Sequence, residues 1–470
     1  LSDLSGFQSR LGLSVWLGCP INVLNNVIPI LILVLGMADG VHLAGHLKES
    51  DHSAYDTVAR IGPPCALTAL TTALAFACIM LTSNAQLFEF EVLGALGTSL
   101  AFVVFITTCA LLAQVIRPSH YPTPKFANAF ASGLTRLSMA RPRVLIVAAS
   151  ALLAVSVVGY QQTKAWCPLY QNLPQGSTTV QVNDAIARDF GGVFQMIVDV
   201  KGEWADTMAL VDKLTQIEGA EAVLSNTALA RWLVLDRAPT LENLADAPSS
   251  LIQQLRPSNN VQRIYISVPE PMRDANAYAL VERLQATAMQ GGAVRVFGLP
   301  RVMRVEAVNL IAQLSGSLVL VSVLATLIVA LVFGALCLFP VLLIPNVLPL
   351  MLTGASLHLW TGGELSPTAV LALTISFGIA IDDSVHFLNR FYEARKRGES
   401  ANRAAQYASA TAGQVMVLTT VLLTFGLANT MISGFFPIRL FGGMMILTLW
   451  VALVFDLLLL PVLLGGRKNS

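Results

Sequence analysis

The sequence predicts a polytopic α-helical membrane protein that carries one exported α+β domain of ferredoxin-like type. Three observations predict it. Charged residues make up 12% of the 470 and hydrophobic ones 55%, whereas a soluble protein is about 25% charged. Of the 57 charged residues, 28 fall within 161–306, and the other 324 residues share 29. Uncharged runs long enough to cross a bilayer recur at 11–38, 61–88, 92–116, 144–163, 307–363 and 404–438. A formal charge of +1 excludes a nucleic-acid binder, which needs a basic excess.

The runs resolve into nine spans, near 20–43, 62–83, 92–116, 142–160, 312–333, 339–360, 366–388, 412–433 and 440–465. The 57-residue run 307–363 holds two crossings with a turn near Gly334–Phe339. The domains expected are the end of a first transmembrane repeat (1–116), a basic linker (117–141), a single span (142–160), the exported domain (161–306), a second five-span repeat (307–466) and a tail (467–470).

Basic short loops mark the cytoplasmic side. Loop 117–143 carries Arg117, Lys125, Arg136, Arg141 and Arg143 and no acid. Segment 387–403 carries Arg390, Arg395, Lys396, Arg397 and Arg403 against Glu393 and Glu399. The tail adds Arg467 and Lys468. The loops of opposite parity are short and poor in base, with Glu89, Glu91 and Glu364 as their charges. That parity puts 161–306 outside, in the periplasm of an inner-membrane protein if the cell is Gram-negative.

Within 161–306 the pattern alternates strand and helix. Strands are expected at 195–200, 222–224, 263–268 and 294–297, and helices at 207–217 and 275–288. The order β-α-β, helical insert, β-α-β suits a split βαβ sandwich. Trp166 and Tyr170 near its entry suit interfacial anchoring or contact with an apolar substrate. Of six cysteines only Cys167 lies in this domain, which gives no disulfide framework.

The chain repeats itself. VLGMADGVHL (34–43) matches GIAIDDSVHF (378–387) at an offset of 344, so Asp39 falls on Asp383 and His42 on His386. LTTALAF (70–76) matches LTTVLLTF (418–425), and FEVLG (90–94) matches IRLFG (438–442), at an offset of 348. Duplicated spans with polar residues at matching depth are a transporter pattern. Against the second repeat, the first lacks an exported domain and about three spans, and LSDLSGFQS (1–9) is polar where IPNVLPLML (344–352) is apolar. The chain is therefore expected to be an N-terminally truncated piece of a longer architecture.

These motifs, with GIAIDDSVHFLNRFYEARKRGE (378–399) and GMADGVHLAGHLKE (36–49), resemble the resistance–nodulation–division (RND) superfamily of exporters. The MMPL and hopanoid/sterol-exporter branch, with its sterol-sensing-like spans, is the most similar. The resemblance implies that Asp382 and Asp383 carry the proton that drives export. A carboxylate in a membrane span is costly and marks a proton or ion path. Two adjacent acids do not both ionise easily. Asp39 is the first-half counterpart, with Ala38 beside it. His42 and His386 each follow their Asp by three residues and titrate in the range needed for a relay. The family places one Thr of each pair, Thr71 or Thr72 and Thr419 or Thr420, towards the carboxylates, although threonines also join membrane helices. Asp456 in the last span is either a further proton group or a residue near the inner interface. Asp39, His42 and His46 have a spacing that suits a metal on one helix face, but they lack the Glu of H-E-x-x-H. No metal and no cofactor are assigned.

The function expected is a secondary active transporter, not an enzyme. It would be driven by protons and export lipids or other hydrophobic molecules. Its partners would be membrane lipids, further copies of the chain as a dimer or trimer, and a periplasmic protein. The alternatives are a membrane protein that senses or binds lipid without pumping, and an inactive remnant.

Overall fold

The computed structural model describes residues 28–29, 32, 36–37, 40–41, 54–80, 85–115 and 125–465, apart from 175, 221, 234–239, 245–246, 259 and 273. The chain divides into two compact units. One, the membrane unit, is Leu1–Lys164, Leu310–Ser433 and Pro437–Ser470; the other is Ala165–Asn309 with Gly434–Phe436. Eight helices among the described residues are long and apolar enough to cross a membrane. The ninth expected span, 20–43, lies largely outside the described residues.

The membrane unit opens with α1 (Ala54–Ile79) packed on α2 (Ala85–Val115). Gly94 of α2 faces the Phe76 ring with no room for a side chain, and Phe76 also meets Phe90 at 5.7 Å. Two expectations need correction here. Glu91 is not a loop residue: α2 starts at Ala85, so Glu91 sits in its second turn and is fully buried. Residues 117–141 are not simply a linker, because α3 (Lys125–Ala140) is an amphipathic helix. Three small buried residues, Ala127, Ala131 and Ser138, seat it on the unit, and the Ser138 hydroxyl donates to Leu458 O at 2.8 Å. α4 (Pro142–Gln161) follows, with its proline at the first helical position, where a missing N–H costs nothing.

The second unit holds α5 (Thr178–Phe190), β1 (Phe194–Val200), α6 (Trp204–Thr215), β2 (Val223–Leu224), α7 (Asn226–Leu233), α8 (Ser249–Leu255), β3 (Gln262–Val268), α9 (Ala275–Gln290) and β4 (Ala293–Phe297). The sheet order is β2-β3-β1-β4, antiparallel throughout, with Met196 opposite Ile266 and Val198 opposite Ile264 and Val296. This is the split βαβ arrangement expected. Alternate β1 residues Phe194, Met196, Val198 and Val200 face a core shared with Leu210, Val211 and Leu214 of α6 and Val281 and Leu284 of α9. Helix α5 is not visible in the sequence pattern. Only Val180 and Asn183 on it are buried, too little to set a period. Tyr170 packs on Phe194, and Trp166 lies beside Tyr278.

Then come α10 (Leu299–Val332), α11 (Phe339–Ala355), α12 (Leu357–Trp360), α13 (Pro367–Lys396), α14 (Ala401–Ala428) and α15 (Phe436–Gly465). Gly334, with φ +71°, makes the expected turn between α10 and α11. Ser366 and Ser400 cap α13 and α14 by accepting backbone N–H bonds from Ala369 and Arg403. Helix α13 runs unbroken through 387–396, so its Arg390 is a buried helical residue rather than part of a loop. The repeat is visible in the helices. Moved by 348 residues, α1 overlies α14 and α2 overlies α15.

Candidate functional site

The site is built around α13. In its most apolar window 89% is buried, against 11% for α4. Polar groups on α13 are therefore surrounded by protein, while most of α4 is not enclosed by it. Successive residues on a helix are turned by about 100°, so Asp382 and Ser384 leave α13 on opposite sides, with Asp383 between them.

On one side Asp382 (5% exposed) lies 3.2 Å from His386 Nε2. The sequence spacing pointed from His386 to Asp383, three residues earlier. The structure pairs it with Asp382 instead, because a separation of four brings side chains closer to one face than a separation of three. Asp382 also lines a cavity of about 20 Å³ with Thr68, Thr72, Thr98, Phe102 and Phe105. That is room for about one water molecule. The Thr72 hydroxyl donates to Gly378 O at 3.2 Å and ties α1 to α13.

On the other side a chain of hydrogen bonds crosses three helices. Asn346 Nδ2 of α11 donates to Ser384 Oγ at 3.0 Å, and Ser384 Oγ donates to Asp456 Oδ1 of α15 at 3.0 Å. Asn346 and Asp456 are each 1% exposed. Asp456 is thus buried in protein and joined to the aspartate-bearing helix. Asp456 Oδ2 and Asn346 Oδ1 have no hydrogen-bond partner among the described residues. Asp383 stands on α13 between Asp382 and Ser384, the residues from which the two sides are built.

Of the first pair, Thr72 lines the cavity with Asp382. Thr71 Oγ1 donates to Thr68 O and Thr419 Oγ1 to Met416 O, each within its own helix. The Thr420 carbonyl accepts from Thr424. The Thr71 and Thr419 hydroxyls are satisfied one turn away, the usual outcome for Thr inside a helix. Asp39, His42 and His46 lie outside the described residues. Three buried residues were not singled out from sequence: Ser384, Asn346 and Glu91. Ser384 and Asn346 stand inside motifs already noted, GIAIDDSVHF and IPNVLPLML, and an amide within the apolar IPNVLPLML was a usable signal. Both oxygens of Glu91 are buried without a hydrogen-bond partner among the described residues.

Comparison with known proteins adds two findings. Residues 1–116 match the family model of the Patched sterol-sensing domain. The fold matches SecDF in its super-membrane-facing form, with a TM-score of 0.58 at 15% identity over 99% of this chain and 57% of that one. It also matches SecDF, a translocon-associated membrane protein from Thermus thermophilus, with a TM-score of 0.59 at 15% identity over 98% of this chain and 57% of that one. The chain therefore spans a little over half the length of these structures. No curated protein matches it in sequence. The findings are consistent with the RND-superfamily resemblance read from the motifs, and the chain is a multi-pass membrane protein with a SecDF-like fold.

Proposed function

We propose that the chain is the membrane core and one exported domain of a proton-driven RND-type exporter of lipids or other hydrophobic molecules. It would sit in an inner membrane with the 165–309 unit on the periplasmic side. Asp382 and Asp383 take up the proton, His386 passes it along the Asp382 side, and Ser384 relays charge to Asp456. Neutralising one carboxylate removes a like-charge repulsion, which shifts α13 against the helices that hold its polar partners. A charge crossing 100 mV gains about 2.3 kcal/mol, enough to bias such a rearrangement. The observation that carries this reading is the buried chain Asn346–Ser384–Asp456 beside Asp382–His386, because so many polar groups inside a membrane unit are retained for a reason.

The match to a sterol-sensing domain favours a second reading, lipid sensing without pumping. Proteoliposomes containing the chain, with an imposed pH gradient and an NBD-labelled phospholipid as probe, separate the two. The exporter reading expects gradient-dependent probe movement and dissipation of the gradient, both lost in Asp383→Asn. Probe binding with no gradient dependence in either protein supports sensing and removes export. SecDF is described as translocon-associated, so an unfolded polypeptide is the control cargo.

A further inference from the structure

The interfacial helix α3 presents three distinct faces. Ala127, Ala131 and Ser138 pack inward. Gly413 of α14 makes that close approach possible: a Cβ there would meet Ala131 Cβ at 3.3 Å and Leu457 Cδ2 at 2.9 Å. Phe126, Phe130 and Leu137 form a second, exposed apolar face. With 100° per residue, Lys125, Asn128, Ser132 and Arg136 form the third. A helix with an apolar and a basic face lies in the plane of the membrane interface, at the depth of lipid headgroups.

On that polar side a cleft of about 470 Å³ opens between α3 and α14, lined by Ser132, Thr135, Arg136, Met139, Gln406 and Ser409. Arg136 makes no salt bridge among the described residues. Ser409 is 2% exposed, and its hydroxyl has no hydrogen-bond partner among the described residues. Gln406 Nε2 spends its contact on the weak acceptor Met139 Sδ at 3.3 Å. The cleft thus gathers a guanidinium, an amide and a hydroxyl whose donors are unspent or poorly spent, with no acid among its lining residues. The stretch 117–143, to which α3 belongs, carries Arg117, Lys125, Arg136, Arg141 and Arg143 and no acid.

We propose that this cleft binds the phosphate headgroup of an anionic phospholipid from the leaflet on the basic-loop side. Arg136 contacts the phosphate, Ser409 and Gln406 donate to its remaining oxygens, and the acyl chains run over the apolar face of α3. Arginine suits this task because its planar fork matches phosphate geometry. The exposed Phe126, Phe130 and Leu137 favour a membrane lipid over a soluble anion, since they fix the helix in the interface.

Native mass spectrometry of the full chain in detergent tests it, titrated separately with phosphatidylglycerol, phosphatidylcholine and inorganic phosphate. Phosphatidylglycerol should bind at least tenfold more tightly than phosphatidylcholine. Arg136→Ala should weaken it about tenfold or more, Ser409→Ala about threefold, and Arg136→Lys much less than Arg136→Ala. Lys201→Ala, in the other unit, should leave it unchanged. Equal affinity for the two lipids overturns the proposal, as does binding within twofold of wild type in both Arg136→Ala and Ser409→Ala. Full displacement of lipid by millimolar inorganic phosphate also overturns it, because the site would then take free anions. Ser409→Ala and Arg136→Lys are mild enough to keep the fold if Arg136→Ala does not.

Discussion

On the proposed proton path Asp383 stands between Asp382 and Ser384 on α13, and Ser384 bonds Asp456 of α15. Asp383→Asn removes that proton site with little change of shape, and we expect at least a hundredfold loss of gradient-driven transport in proteoliposomes with unchanged folding. Ser384→Ala breaks the link from Asn346 to Asp456 while leaving every acid in place; a loss of about threefold to thirtyfold is expected in the same assay. Equal losses in the two variants would mean that Ser384 is not merely a relay. Part of this site was legible: an Asp-Asp pair inside an apolar run is conspicuous. The links to it were not, because Asn346, Ser384 and Asp456 are 38 and 72 residues apart in sequence, and only packing brings them together. Cys167, outside the spans, offers a pH test. Burial, helped by the negative charge of Glu270, pushes its thiol above the ordinary value. Folding therefore favours the neutral thiol, and this contribution is present below the unfolded-state thiol value and is lost as pH rises through the folded one. Alkylation of Cys167 by a maleimide should accelerate only above the usual thiol range. Glu270→Gln should move that midpoint down while it retains a side-chain oxygen near the Tyr170 N–H.

At the scale of elements, the packing of paired helices turns on two glycines that occupy the same place in the repeat. Gly94 of α2 faces the Phe76 ring, and Gly442 of α15 faces Thr430 Oγ1 and Cβ. Neither has space for a methyl group. Gly94→Ala and Gly442→Ala should each cost about 1–3 kcal/mol through overpacking, read as a lower thermal transition of the detergent-solubilised protein. Gly316→Ala, at a position with open space around it, should not. In the other unit Asp199, 1% exposed, accepts from Arg263 at 2.7 and 3.1 Å and from Arg295 at 3.1 Å across adjacent strands. Elements with strong period were readable in advance, such as β3 with its alternating RIYISV. Those missed were elements whose buried face is made of small or polar residues. Helix α3 packs through Ala127, Ala131 and Ser138, and α5 through Val180 and Asn183; neither buried face is a stripe of large apolar residues.

At the scale of the whole molecule, the two repeats meet where α1 crosses α13. At Gly378 there is room for a Cβ in ordinary contact with α1, 3.4 Å from Thr72 Cα and 3.6 Å from Thr72 Cγ2. The Thr72 hydroxyl bonds the Gly378 carbonyl across the same gap, and the cavity beside it is lined by Asp382 of one repeat and by Thr68, Thr72 and Thr98 of the other. A proton reaching Asp382 is therefore felt at the seam between repeats. Transporters built from repeats work by moving one against the other about a fixed site. If this chain does so, locking the seam must stop it without touching any acid. A Cβ at 378 in contact with Thr72 makes this pair the place to try a disulfide, whose Cβ atoms sit about 3.5–4.5 Å apart. In a background with the native cysteines replaced, Thr72→Cys with Gly378→Cys should transport when reduced, stop when oxidised, and recover with reductant. Each single variant should be indifferent to oxidation. Undiminished transport by the cross-linked protein would show that the repeats do not move at this crossing, and the motion driven by Asp383 would then have to be sought between α13 and the α11–α15 side, where Ser384 holds Asn346 and Asp456 together.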